Sequence, residues 1–197
     1  MSHHIYTTPG FVVESNAYGE AGKFIYIFTR DLGMVAGVAQ GVRLTQSKLR
    51  YHAQDFSYAN FSLVRGKEVW RIIGAEAIST EANDSGHSSA GLVSPLFARI
   101  LKILKRLVPG EEKNEALFEV ALAAHHFLKN SAPDDETIAE YIIMLRILHQ
   151  LGYVRTVPTL EPFLVDNSFS PDLFAAMTTT KSAAAREINT ALKESHL

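Results

Sequence analysis

Cysteine is absent from all 197 residues. That absence excludes disulfides, thiolate metal sites and a cysteine nucleophile, and it suits a reducing compartment, here the cytoplasm. Long apolar runs are lacking as well. Nothing approaches the ~18 uninterrupted apolar residues that a membrane span needs. Met1–Pro9 is mostly polar and is followed by a short apolar run without a basic flank, so it does not read as a signal peptide. An excess of positive charge is the third absence: 19 Lys and Arg stand against 21 Asp and Glu, a net charge of −2. That balance is not the overall footprint of a nucleic-acid binder. The signs are unevenly spread, however. Residues 1–80 carry 8 basic and 6 acidic side chains, and residues 81–197 carry 11 and 15. Such a division permits two regions with different partners. What the chain does have is a globular composition, 47% hydrophobic and 20% charged, enough apolar side chain to build a core.

The first 80 residues read as strands. Gly10–Glu14 and Lys23–Arg30 are rich in β-branched and aromatic residues and are separated by Tyr18-Gly19-Glu20. Asp31-Leu32-Gly33 marks a turn into a third strand, Met34–Gln40, which ends at Gly41. After a polar stretch come Phe56–Val64 and Glu68–Ile78, joined by Arg65-Gly66-Lys67. Phe61 and Leu63 alternate with Asn60 and Ser62, the two-residue period of a half-buried strand. Five short strands in this span are the number of a small closed barrel such as an OB-fold, and an SH3-like barrel would give a similar pattern.

Residues 79–91 are dominated by Ser, Thr, Asn, Asp, Gly and Ala and read as a linker. The period then changes to 3.6. Ser94-Pro95 reads as an N-cap followed by a proline at the first helical position. The helix it opens sets Leu96, Ile100, Ile103, Leu104 and Leu107 on one face and stops at Pro109-Gly110. A second helix spans about 112–129, with Leu117, Val120, Ala121, Ala124 and Leu128 inward. A third follows Asp134-Asp135-Glu136, whose acids favour a helix start. Its stripe is Ile138, Tyr141, Ile142, Leu145 and Leu148, and Leu151-Gly152 ends it. Beyond Pro158 and Pro162, a short helix is predicted after Ser170-Pro171 and a separate amphipathic helix over 181–195. The architecture expected is α+β in two domains: a five-stranded OB-fold β-barrel at 1–80, a linker at 81–91, and an α-helical bundle at 92–197.

Little in the chain suits covalent chemistry. The 8 histidines show no metal-binding spacing with a carboxylate base between them. In His125-His126, adjacent helical positions point about 100° apart, so one ring meets the core. Gly37–Gly41 lacks the lysine and following helix of a phosphate loop. Glu111-Glu112 and Asp134-Asp135 fall at predicted helix starts, where acids cap the dipole. No metal, cofactor or catalytic residue is expected, and the chain does not read as an enzyme.

The stretch Gly41–His52 is more informative. It sets Arg43, Lys48 and Arg50 in a polar connection beside Tyr51, with Gln46 and Ser47 as hydrogen-bonding groups. Cations on such a loop track a phosphate backbone, and exposed aromatics stack unpaired bases. Lys23, Arg30, Arg65, Lys67 and Arg71 extend the same module. In the helical half, Arg99, Lys102 and Arg106 share a face turned from the leucine stripe, with Lys105 further round. Their ordinary role is the wet side of an amphipathic helix.

In order along the chain stand Tyr18-Gly19-Glu20, Phe28–Gly33, Val38–Arg43, Ser47–Arg50, Gln54-Asp55-Phe56, Leu63–Lys67 and Ala75-Glu76. This ordered set closely resembles the opening of the RecO family, densely over residues 10–80 and sparsely beyond. Leu148–Tyr153 resembles that family's helix end. The resemblance implies a recombination mediator of bacterial DNA repair, cytoplasmic and nucleoid-associated. Such a protein binds single- and double-stranded DNA, anneals complementary strands, engages RecR and the C-terminal tail of single-strand-binding protein, and helps load the RecA recombinase. By position it makes Arg43, Lys48 and Arg50 the leading DNA contacts, with Arg30 and Lys67 as secondary ones. The chain departs from many family members in lacking a four-cysteine zinc site, in its shortness and in its slightly acidic charge. The rival reading from the residues alone is a barrel-plus-bundle adaptor that binds only protein partners.

Overall fold

A computed structural model describes residues 4–78, 93–108 and 110–195. The linker expected at 81–91 lies outside the described residues. The chain forms two compact units, Met1–Val93 with Val108–Asn114, and Ser94–Leu107 with Glu115–Leu197.

The first unit is a closed five-stranded barrel of β1 (Ile5–Tyr18), β2 (Gly22–Thr29), β3 (Gly33–Ala39), β4 (Tyr58–Val64) and β5 (Trp70–Glu76). Its spatial order is β1-β2-β3-β5-β4, with β4 returning to β1. This is the Greek-key order of the OB-fold. Strand alternation decides what fills it. Val12, Ile25, Ile27, Val35, Ala39, Phe61, Leu63, Trp70 and Ile72 all point inward and are buried. Each large apolar side chain so buried contributes about 1.5–3 kcal/mol.

The first strand is far longer than the expected Gly10–Glu14, because one strand serves two neighbours. Its early residues pair with β4 and its later ones with β2, and a bulge between Val12 and Glu14 bends it from one ladder to the other. The polar half of this strand hid it from a reading based on apolar runs.

Between β3 and β4 the chain makes a long connection that opens at Gly41, whose φ is +66°. It contains a 3-10 helix, Lys48–Tyr51. Val42 and Ala53 enter the barrel core and Leu49 packs against it. Polar bonds fasten the rest. The Lys23 ammonium donates to the Ala53 carbonyl (2.8 Å) and to Ser15 Oγ (3.1 Å), and Ser15 Oγ donates to Asp55 (2.5 Å). Phe56 N–H donates to Val12 O (2.7 Å) and Val12 N–H to Ser57 O (2.9 Å), so the returning chain is stitched to the bulge of β1. His52 closes the 3-10 helix, and Ser57 Oγ donates to its carbonyl. Burial lowers the His52 pKa.

The opposite end of the barrel, at the β2–β3 and β4–β5 turns, is occupied by Val108–Asn114. Met34 N–H donates to Gly110 O (3.0 Å), Arg65 pairs with Glu111, and Lys113 lies 3.6 Å from Asp31. Gly33 has φ +71°, and a Cβ there would collide with the backbone of Glu112. Glu111-Glu112 therefore do not cap a helix as expected. The helix begins later, at Glu115, and Glu111 faces an arginine of the barrel.

The second unit holds α1 (Pro95–Leu107), α2 (Glu115–Leu128), α3 (Pro133–Gln150) and α4 (Pro171–Glu194). α1 and α2 bury the faces their spacing predicts, apart from Ile103, which is half-buried. α3 is exposed at its first turn, Pro133–Asp135, and the expected stripe residues Ile138 and Tyr141 are half-buried. Ala139 and every residue from Ile142 to Leu148 are buried, which sets the C-terminal half of α3 at the centre of the bundle. Where two C-terminal helices are expected, one 24-residue helix runs unbroken from Pro171 to Glu194. Thr178, Thr179 and Thr180 look like a break because β-branched polar residues have low helix propensity. Their hydroxyls instead donate to Phe174 O and Ala176 O, one turn back, and the helix continues.

Two stability changes follow. Gly33→Ala combines left-handed strain with a backbone collision and is expected to cost at least about 2 kcal/mol. Gly19→Ala, at φ +59° with open space around it, is expected to cost about 1 kcal/mol; denaturant titration of both variants checks the contrast. His52 is held more neutral in the fold than in the unfolded chain. As pH falls below about 6.5 the unfolded chain takes up that proton first, so stability is lost from there down towards the lower folded value. Melting curves between pH 7 and 5 are expected to fall less steeply for His52→Gln than for the wild-type chain.

Candidate nucleic-acid interface

Barrel closure is brief. β3 and β5 run parallel and share only two register pairs, Gly37↔Trp70 and Val38↔Arg71. Past these pairs the two strands cease to be partners, and the 3-10 helix lies over the opening. A cleft of about 420 Å³ results, lined by Val38, Gln40, Ser47, Lys48, Leu49 and the β5 residues Arg71–Ala75. Its charged lining residues are Lys48 and Arg71, both exposed. Alternation puts Trp70 and Ile72 in the core and therefore aims Arg71 outward, opposite Val38. Two like charges share one polar recess there. An anion between them relieves that repulsion, and the Gln40 and Ser47 side chains add hydrogen-bonding groups around it.

The other expected contacts lie in two places. Arg43 is exposed just after the Gly41 turn, and its N–H donates to Ala21 O (2.9 Å), which brings the connection against the β1–β2 turn. Arg50 is half-buried, with its guanidinium 5.2 Å from the ring centroid of Tyr51, a side chain 49% exposed. Arg43, Lys48 and Arg50 thus belong to one connection at one end of the barrel. Arg30 and Lys67 do not join them: they sit in the β2–β3 and β4–β5 turns, at the end where Val108–Asn114 packs. Arg65, from the β4–β5 turn, is engaged by Glu111 and lies 4.9 Å over the Trp70 ring, so it is not a cleft residue. Lys23 is likewise committed to holding the connection.

Arg71 stands on a strand, yet it lines the same cleft as Lys48 of the connection. Its signal is its outward parity between Trp70 and Ile72, which is legible only once the inward face of β5 is known.

The helical unit contains a residue that no sequence pattern singled out. Arg146 on α3 is only 2% exposed. Its Nε donates to Phe163 O and its Nη2 to Ser168 O, both at 2.8 Å, while Nη1 has no hydrogen-bond partner among the described residues. Phe169 lies over the guanidinium at 4.9 Å and stacks on Phe127, with ring centroids 4.4 Å apart; Phe174 completes the cluster edge-on. Burial pushes the Arg146 pKa down to about 10, with Asp166 opposing the shift. Hydrogen bonds from the Ser168 hydroxyl and N–H hold Asp166 below its ordinary value, with a smaller contribution from Arg146. On α1, Arg99 pairs with Glu140 of α3, the ordinary use of a wet helix face. His125 is half-buried against Phe97, at 5.1 Å between centroids, and His126 is exposed. Among the described residues no cluster of three His, Asp or Glu side chains is placed to hold a metal. No described helix is long and apolar enough to cross a membrane.

Comparison with known proteins converges on one family. The family model described as Recombination protein O N terminal matches residues 1–80. A DNA repair protein RecO of Dehalococcoides mccartyi is 31% identical over 150 residues, covering 76% of this chain and 57% of that protein. The RecO of Clostridium novyi is 26% identical over 149 residues, with the same two coverages of 76% and 57%. That of Rubrobacter xylanophilus is 32% identical over 127 residues, covering 58% of this chain and 51% of that protein. The chain therefore spans a little over half the length of the curated relatives it matches. The strands of the five-stranded barrel, from Ile5 to Glu76, lie within the matched residues 1–80, and it is through this domain that the chain is similar to the RecO family.

Proposed function

We propose that this chain is a recombination mediator of DNA repair that binds single- and double-stranded DNA through its barrel. The observation that carries the reading is the cleft at the barrel opening, where Lys48 and Arg71 converge beside the cationic connection bearing Arg43 and Arg50. Binding is electrostatic and non-covalent. Cations replace condensed counterions on the phosphate backbone, whose release drives association without reading sequence. Two strands held on such a surface find each other by base pairing, which is annealing, and a strand so held is available for loading RecA. Arg30 and Lys67 form a second, weaker contact region at the other end of the barrel. A local cluster suffices in a chain of net charge −2, because the Debye length of about 8 Å at physiological salt hides charges further away.

The helical unit is the proposed partner module, for RecR and for the tail of single-strand-binding protein. Phe127, Phe169 and Phe174 offer half-buried rings to an apolar side chain, and the buried Arg146 guanidinium beneath Phe169 holds that ring in place. The protein works in the cytoplasm, at the nucleoid. A protein-only adaptor is the alternative, and the salt dependence of DNA binding separates the two.

Fluorescence anisotropy of a labelled single-stranded oligonucleotide, at several salt concentrations, is expected to show affinity falling steeply with salt. Replacing Lys48 and Arg71 together by alanine removes two phosphate contacts. The plot of log K against log salt is then expected to flatten by about 1.4, at about 0.7 per contact on single strands. Adding Arg43→Ala and Arg50→Ala flattens it further, with an unchanged melting temperature. Absence of binding at low salt would sink the mediator reading and leave the adaptor. In the helical unit, Phe169→Ala is expected to weaken capture of an acidic, apolar-ended tail peptide at least tenfold without altering oligonucleotide binding.

A further inference from the structure

The barrel core dictates that Ile25 and Ile27 point inward, so Phe24 and Tyr26 must point outward from the same strand. An outward strand position facing water ordinarily carries a polar side chain. Here two aromatic rings stand in succession, and Tyr18 at the end of β1 adds a third that is 55% exposed. Phe24 lies 6.4 Å from Tyr18 and 5.4 Å from Tyr26 between ring centroids, at interplanar angles of 46° and 72°. Rings so inclined leave much of their faces uncovered by one another.

Strand register ties this row to the cleft. Asn16 stands opposite Phe24, Phe24 opposite Val38, and Val38 opposite Arg71. Two ladder steps of about 4.8 Å each therefore separate the Phe24 strand position from that of Arg71 on one continuous outer surface. The next outward position of β3, opposite Tyr26, is only Ala36, which leaves room beside the ring. Charge has a direction across this surface. Glu14, opposite Tyr26, and Glu20 in the β1–β2 turn place acids on the β1 side, whereas Lys48 and Arg71 place cations on the β5 side.

We infer that Tyr18, Phe24 and Tyr26 form a stacking platform for unpaired bases, with the phosphates of a single strand running over the Lys48–Arg71 cleft and its bases turned towards β1 and β2. The inference rests on the DNA-binding reading above and deepens it. Cations alone treat single and double strands alike by their charge; a platform of aromatic faces engages only bases that are free of a partner strand. Glu14, opposite Tyr26 on β1, disfavours the opposite orientation, since it would face phosphate.

The test compares a labelled oligothymidine with a duplex of equal length, using the full chain. Tyr18→Ala combined with Phe24→Leu removes two aromatic faces while keeping apolar volume at the half-buried position. Affinity for the single strand is expected to fall at least fivefold, duplex affinity to stay within twofold, and the salt slope to stay unchanged because no phosphate contact is lost. Tyr18→Trp, which keeps a stacking face, is expected to retain wild-type affinity. A melting curve guards against unfolding, and the exposed Tyr18→Ala single variant provides the same readout if the double variant melts early. Unchanged single-strand affinity, or equal loss on both probes, overturns the platform and leaves the cleft in place. A wild-type chain that binds neither probe at low salt overturns both readings together.

Discussion

A five-stranded barrel must close on itself, and in this molecule closure between β3 and β5 is two residue pairs long. An open sheet edge leaves backbone donors and acceptors without partners. The connection between β3 and β4 lies over that gap, with Leu49 set against the core and a 3-10 helix across the mouth. The cleft, its two cations and the register that links it to the aromatic row all follow from this short closure. A longer β3–β5 ladder would occupy the space that the cleft now offers.

Holding such a long connection in one place takes several kinds of bond at once. Val42 and Ala53 anchor it by burial. Lys23 gives up its role as a surface cation to bridge Ser15 and Ala53. The bulge in β1 leaves Val12 free to exchange backbone hydrogen bonds with Phe56 and Ser57. Ion pairs elsewhere do a different job: at the far end of the barrel, Arg65 and Asp31 meet Glu111 and Lys113 from outside the sheet. Exposed pairs of this kind contribute little stability, but they neutralise charge locally. The net positive character of the barrel is thereby concentrated towards the cleft and the connection.

The strands were legible where alternation was clean, as in Phe61 and Leu63, and the barrel could be inferred from their number. The 3.6-residue spacing of α1 and α2 likewise foretold their buried faces. The features that no local pattern encodes each have a physical cause. The polar half of β1 carries no apolar signal because its role is to pair with two neighbours. Three consecutive threonines resembled a break, although their hydroxyls bond back into the same helix. Glu111-Glu112 has the composition of a helix cap but serves a tertiary contact, which no local pattern encodes. Arg43, Lys48 and Arg50 were readable as one cationic connection; their division from Arg30 and Lys67 depends on which ends of antiparallel strands meet. Arg146 sits inside a helix stripe as an arginine among apolar residues, and only its two carbonyl partners, 17 and 22 residues further on, explain its burial.

Val108–Asn114 belongs to the barrel unit, yet α1 and α2 flank it in the chain. The polypeptide therefore passes between the two units three times rather than once. In evolutionary terms the barrel is not a detachable cassette. Its boundary is written in two separate stretches of sequence, so recombination or truncation between the halves would strip Met34, Arg65 and Asp31 of the groups they meet in the intact chain. Shuffling of this module among unrelated proteins is disfavoured by connectivity alone.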